Sequence, residues 1–215
     1  MKLRVFAFIC GYILLAGLGL AATATACELP PLQDPGASRT VYRLVEDKGF
    51  VGFDAKAFMH EFTGKTSKVH GMIRLADPDR LTGAEACIRV DAGSLDTGNG
   101  TRDDIMRKDH LETASYPTIE FLLKTVEGVK RDSDGWEFGA GGSLSLHGVM
   151  REILLPVRVR PAEGGAGSGA DGGVRLTGEI PLRMSDYRIT IPKFLFFAVQ
   201  DQVVVKFDVT ARRTQ

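Results

Sequence analysis

Val203-Val204-Val205-Lys206-Phe207-Asp208-Val209-Thr210 carries apolar side chains at every odd position and, from Lys206 onward, polar ones at every even position. Successive side chains of an extended strand point to opposite faces, so this spacing marks a strand with one face in a core. The same period of two recurs upstream. Val51, Phe53, Ala55 and Ala57 share one phase, as do Ala84, Ala86, Ile88 and Val90. Ile119, Phe121 and Leu123 form a third run, Ile153, Leu155, Val157 and Val159 a fourth, and Val174, Leu176 and Ile180 a fifth. Parallel sheets, covered on both faces, read instead as continuous apolar runs, so these strands are antiparallel.

Turn formers separate the runs: Asp77-Pro78-Asp79, Asp132-Ser133-Asp134-Gly135 and the glycine-rich stretch 163–173. That last stretch reads as a hairpin loop. It lacks the Lys-Ser/Thr ending through which a P-loop holds phosphate. One segment breaks the rhythm: Thr101 to Leu111 is a short helix, with Thr101 as its cap, Asp103 and Asp104 at the positive end of its dipole, and Lys108 and His110 near the other. About eight or nine strands with one short helix fit either a sandwich or a closed barrel, and the pattern does not separate them.

The amino terminus, Met1-Lys2-Leu3-Arg4 followed by an uncharged run from Val5 to Ala26, has the layout of a secretory signal peptide. Cleavage after Ala24-Thr25-Ala26 makes Cys27 the first mature residue and predicts a periplasmic or secreted protein. A membrane anchor is the competing reading, and Gly11, Gly17 and Gly19 weigh against it. A cysteine directly after the cut also opens a lipid anchor at Cys27, although Ala24 stands where lipoprotein signals carry a leucine-like residue. Residues 27–39 form a flexible Pro-rich lead and 40–213 the folded domain.

With the signal and its Lys2 and Arg4 removed, 25 cations face 27 acids over 189 residues, enough chain for one domain. A near-neutral chain without a basic stripe is not built for nucleic acid. Cys27 and Cys87 remain as thiols; they either pair in an oxidising compartment or leave Cys87 a lone thiol in a strand, and the mobility of the lead favours the lone thiol.

Ser94-Leu95-Asp96-Thr97-Gly98, Arg102-Asp103, Met106, His110-Leu111 and Tyr116-Pro117-Thr118-Ile119-Glu120-Phe121 together resemble the central signature of the YceI-like family. Gly142-Ser143-Leu144-Ser145-Leu146-His147-Gly148-Val149 resembles its second signature. Ser185-Asp186-Tyr187 matches a third more loosely, with Arg188 where the family closes on glycine. The resemblance runs from about residue 41 to 211. It implies an all-β, antiparallel, lipocalin-like barrel of about eight strands with one short helix near the barrel mouth. It also implies an exported carrier holding a polyisoprenoid or ubiquinone-like lipid, with no covalent cofactor.

An eight-stranded barrel either packs its interior with side chains or holds one slender ligand there. On the second reading Val51, Phe53, Ile88, Phe121, Leu123, Leu155, Val157, Leu176 and Phe207 line the ligand site, and Met106 and Tyr187 shape its mouth with Phe58 and Phe62. Phe194 to Val199 is apolar on both faces, so it is either buried under the helix or an exposed lip at a membrane surface. Arg102 and Asp103 are expected to orient the loop-to-helix junction. His60, His70, His110 and His147 have no metal-ligand spacing, and no Gly-x-Ser-x-Gly elbow is present, which points to a binding protein rather than an enzyme. A lipid-dependent enzyme or redox accessory, or a structural or stress protein with a filled barrel, are the alternatives. Transient membrane contact and a homodimer stay open.

Overall fold

The computed structural model describes Leu29 and residues 39–57, 60–77, 80–81, 83–162, 173–194 and 197–214, with the side chains of 194 and 197 left aside. The expected signal peptide, most of the Pro-rich lead, Phe58 and most of the glycine-rich loop lie outside these residues.

The alternating runs become long antiparallel strands: β1 (Thr40–Lys56), β2 (Glu61–Thr66), β3 (Val69–Leu75), β4 (Glu85–Asp91), β5 (Thr118–Arg131), β6 (Trp136–Leu146), β7 (Val149–Pro161), β8 (Gly173–Arg183) and β11 (Gln202–Thr214). A two-residue hairpin, β9 (Lys193–Phe194) with β10 (Phe197–Ala198), precedes β11. The sheet runs β11-β8-β7-β6-β5-β4-β3-β1, and pairing of β1 with β11 closes it. The choice left open by periodicity is thereby settled as an eight-stranded barrel. β2 pairs with the second half of β1 and continues the row begun by β3 past Ser67 and Lys68.

Closure requires the strands to bend, and two register breaks provide bends. In β1 the pairing slips between Leu44 and Gly49. Gly49 adopts φ of 127°, and a Cβ there would fall 2.0 Å from the Asp208 carbonyl oxygen, so only glycine fits. In β5 the register shifts between Leu123 and Thr125, which moves Val126 onto the inward face in place of Thr125.

The helix α1 (Gly100–Ile105) passes into a π-helical turn, Met106–His110, and begins one residue ahead of the predicted span. Its cap is Asn99 rather than Thr101: Asn99 Oδ1 accepts from the Arg102 N–H at 3.1 Å. The turn into the helix comes sooner because Gly98, at φ of 76°, bends the loop directly before Asn99. This helix lies at one end of the barrel. Two apolar clusters form the packed interior. Val69, Val90 and Val209 make one; Leu144, Tyr187 and Ile189 make the other, with Leu111, Leu146, Leu182 and Met184 packed on it at the helical end.

Candidate functional site

Inward side chains of all eight barrel strands surround a cavity of about 430 Å³. Antiparallel ladders keep parity from strand to strand, so one inward row dictates the next. Val51 pairs with Phe207 and Phe53 with Val205. Val209 pairs with Leu176, which pairs with Val159, which pairs with Trp136. Ile88 stands opposite Phe121, and Phe121 opposite Leu144.

Val51, Phe53, Ile88, Phe121, Leu123, Leu155, Val157, Leu176 and Phe207 all line this cavity. Met106 and Tyr187 do not, which corrects their predicted placement. Met106 is buried in the helical turn, and the segment before the helix contributes Leu95 to the lining instead. Tyr187 is 2% exposed and packs behind Leu144, Leu146 and Leu182, closing the helical end from outside the lining. Its hydroxyl is buried without a hydrogen-bond partner among the described residues, and burial pushes its pKa up. Phe62 meets Phe53 edge-to-face, with ring centroids 6.3 Å apart, under the Arg102 guanidinium 4.5 Å from its ring.

Residues that the alternation did not single out also line the cavity: Tyr42, Leu44, Ile73, Leu75, Trp136, Phe138 and Leu144 among them. Trp136-x-Phe138-x-Ala140 has the required period, but Gly139, Gly141 and Gly142 dilute it. Among the described residues, the only lining side chains with polar atoms are those of Tyr42 and Trp136, and both stand at the end opposite α1. Asp, Glu, His, Lys, Arg, Ser and Cys are absent from the lining among the described residues. The cavity can therefore hold an apolar chain but offers no charged acid–base pair.

The junction before α1 is tied as expected. Arg102 donates through Nε to Thr97 Oγ1 at 2.7 Å and through a terminal nitrogen to the Thr97 carbonyl at 2.9 Å. Thr97 in turn donates its hydroxyl (2.6 Å) and its N–H (2.9 Å) to Asp103 Oδ1. Burial pushes the Asp103 carboxyl up, but the two Thr97 bonds, together with Asp96 and the positive charge of Arg107, outweigh it and hold the pKa below the ordinary value. Arg107 donates to the carbonyls of Gly93 and Leu95, tying the helix to the barrel end.

The histidines are dispersed. His110 Nδ1 donates to the Thr190 carbonyl at 2.7 Å. His147 sits in the β6–β7 turn at φ of 51°, donates to the Tyr187 carbonyl at 3.1 Å and stacks near Tyr116. No three His, Cys, Asp or Glu come together as a metal site among the described residues. Cys87 departs from the lone-thiol expectation: it is disulfide-bonded, and its partner lies outside the described residues. It is on the outward side of β4, one residue from Ile88, yet only 2% exposed. In the β9–β10 segment Lys193 and Ala198 are exposed and Val199 half-buried; the phenylalanine side chains that would decide between lip and core lie outside the described residues.

Known proteins place this architecture. Among solved structures, Burkholderia cenocepacia BcnA superposes with a TM-score of 0.59 at 20% identity, covering 75% of this chain and 95% of that one. A structure described as a polyisoprenoid binding domain from Saccharophagus degradans, implicated in plant cell wall breakdown, gives 0.57 at 19% identity, over 80% of this chain and 98% of that one. The Campylobacter jejuni YceI protein gives 0.52 at 19%, over 96% and 100%. Protein YceI of Escherichia coli O157:H7 is 31% identical over 97 residues, 45% of this chain and 48% of that protein. The matched stretch thus spans about half the length of the curated relatives. Residues 42–211 match the YceI-like domain, nearly the whole barrel, and the chain belongs to that family.

Proposed function

We propose that this protein is an exported carrier that holds a polyisoprenoid-type lipid, such as a quinone, inside the barrel. The observation that carries this reading is a cavity of about 430 Å³ whose lining, among the described residues, is apolar except for Tyr42 and Trp136. Apolar cavities of this kind stay dry and take apolar guests. Each buried methylene of a guest contributes about 0.8 kcal/mol. The Saccharophagus degradans neighbour, described as polyisoprenoid-binding, supports the ligand class. Among the described residues the lining has no charged side chain, aliphatic hydroxyl or thiol, which favours carriage over catalysis.

Export is supported by the signal-like first 26 residues and by the disulfide at Cys87, since disulfides persist in oxidising compartments. In the mature chain Cys27 is the other cysteine that can pair with Cys87, and so paired its sulfur is not available for a lipid anchor. The intact mass of the exported form tests this. A chain beginning at Cys27, without diacylglyceryl and without a free thiol, is expected; residues 1–26 retained would overturn export.

Mass spectrometry of organic extracts from the purified mature protein tests the carrier reading. An isoprenoid lipid at near-stoichiometric amount is expected. It should be absent from a folded Val157→Trp protein, because the indole fills the inward position opposite Phe138. A protein that neither yields lipid nor retains an added ubiquinone overturns the reading.

A further inference from the structure

The two barrel ends differ in charge. At the end opposite α1, Arg43 of β1 lies directly opposite Arg212 of β11, and Arg160 of β7 directly opposite Arg175 of β8. Like charges at opposed ladder positions repel. Arg175 is paired with Asp208, and Arg160 lies 3.6 Å from Asp134. Arg43 and Arg212 are exposed and have no ion-pair partner among the described residues. Arg213, also exposed, occupies the register position opposite Tyr42, a lining residue. Across the barrel the Arg131 guanidinium lies 4.7 Å over the Trp136 ring.

Among the described residues the acids at this end are largely engaged. Asp132 accepts from the N–H groups of Asp134 and Gly135, and Asp134 meets Arg160. The helical end instead interleaves its cations with Asp91, Asp96, Asp104, Asp109 and Glu112. The chain's formal net charge is +0, so the cationic end is a local feature rather than a reflection of overall charge. The cavity reaches this same end. A surface depression of about 250 Å³, bordered by Arg80 and Lys124, shares Leu81, Ala84 and Val126 with the main lining.

We propose that the barrel end opposite α1 docks end-on upon an anionic phospholipid surface, with Arg43, Arg212 and Arg213 meeting lipid phosphates. A repelling pair left uncompensated costs stability in solution, and a phosphate layer supplies the missing counter-charge. Arg43, Arg212 and Arg213 stand on the adjoining strands β1 and β11, and Arg131, Arg160 and Arg175 on β5, β7 and β8 of the same end. The cations thus follow the rim and meet a plane better than a single anionic headgroup. Docked this way, the apolar cavity faces the bilayer. The proposal takes its purpose from the carrier reading, but its measurement does not depend on it.

Flotation of the mature protein with vesicles of phosphatidylcholine, and of phosphatidylcholine mixed with phosphatidylglycerol, tests it. Binding is expected only to the mixed vesicles and is lost on adding salt. The double substitution Arg43→Thr and Arg212→Thr should weaken it roughly thirtyfold, about fivefold for each arginine near an anionic surface. Its melting temperature should be unchanged or higher, because the repulsion is gone. Lys108→Thr with Lys193→Thr, at the helical end, should leave binding unchanged. Equal binding to both vesicle types, wild-type binding by the arginine variant, or a larger loss from the lysine variant overturns the proposal. Vesicle binding by a protein that neither yields lipid nor retains added ubiquinone would overturn the carrier reading alone; extractable lipid without vesicle binding would overturn docking alone.

Discussion

Gly178 on β8 lies directly opposite Phe207 on β11, and the phenyl ring fills the space that a side chain at Gly178 would need. A Cβ there would fall 2.6 Å from the ring carbons and 2.1 Å from the Pro156 carbonyl oxygen. The ring can turn; the carbonyl belongs to the β7 backbone and cannot. Gly178→Ala is therefore expected to cost about 1–3 kcal/mol, the usual range for overpacking. Adding Phe207→Leu should recover only the part owed to the ring, so the two changes are non-additive. Urea unfolding of the two single variants and the double variant checks this; full recovery in the double variant would mean that the backbone yields.

Arg188 follows the short 3₁₀ turn Met184–Tyr187 with φ of 57°, the left-handed region. This is the position where the sequence departs from the family signature, with arginine in place of glycine. A side chain there crowds its own carbonyl, and glycine has no such conflict. The Arg188 side chain is exposed. Arg188→Gly is expected to stabilise the protein by about 1 kcal/mol, seen as a higher urea midpoint at unchanged slope. A lower midpoint would show that the guanidinium makes a contact worth more than the strain.

Asp103 is 4% exposed and accepts two bonds from Thr97, so its folded-state pKa lies below the ordinary 3.8. A depressed carboxylate contributes stability that is fully present above the unfolded-state value and disappears as pH falls through the folded-state one. Asp103→Asn should cost about 1–3 kcal/mol at neutral pH, the range for a buried hydrogen-bonded group losing its charge. The deficit should then shrink as pH drops below 3.8. Melting curves across the acid range would contradict this assignment if the deficit stayed constant.

How legible each feature was depends on how locally it is encoded. Leu155 and Val157, Leu176, and Phe207 were readable because β7, β8 and β11 keep their parity through the cavity-lining positions. Val126 was hidden by the register shift in β5, which exchanges the inward phase in mid-strand. Glycines hid β6: Trp136 and Phe138 line the cavity, but Gly139, Gly141 and Gly142 leave too few apolar residues for the alternation to register. Tyr187 was misplaced for a different reason. Its position depends on how a turn near residue 185 packs over the β6 and β8 ends, a contact between segments about forty residues apart. The Cys87 disulfide was no more legible, because pairing is set by where the chain carries the partner and not by the strand around Cys87. The Thr97–Arg102–Asp103 tie was readable because all its members lie within seven consecutive residues.

Among the described residues Tyr42 and Trp136 are the only polar-tipped side chains in the lining, and both stand at the end opposite α1. A ligand's carbonyl placed anywhere else in the cavity would lose its water without gaining a partner, at a cost of a few kcal/mol. A lipid with a polar head is therefore expected to sit with that head toward Tyr42 and its chain running toward Leu144 and Leu95. Tyr42→Phe removes the phenolic donor and keeps the ring. Retention of a ubiquinone should weaken about fivefold, the equivalent of one hydrogen bond of about 1 kcal/mol. Retention of a headless isoprenoid hydrocarbon such as squalene should not change, because it offers the hydroxyl nothing to meet. Comparing the two ligands in the two proteins cancels any general loosening of the barrel. Equal weakening for both ligands would show that Tyr42 acts through packing alone, and the proposed orientation would fall.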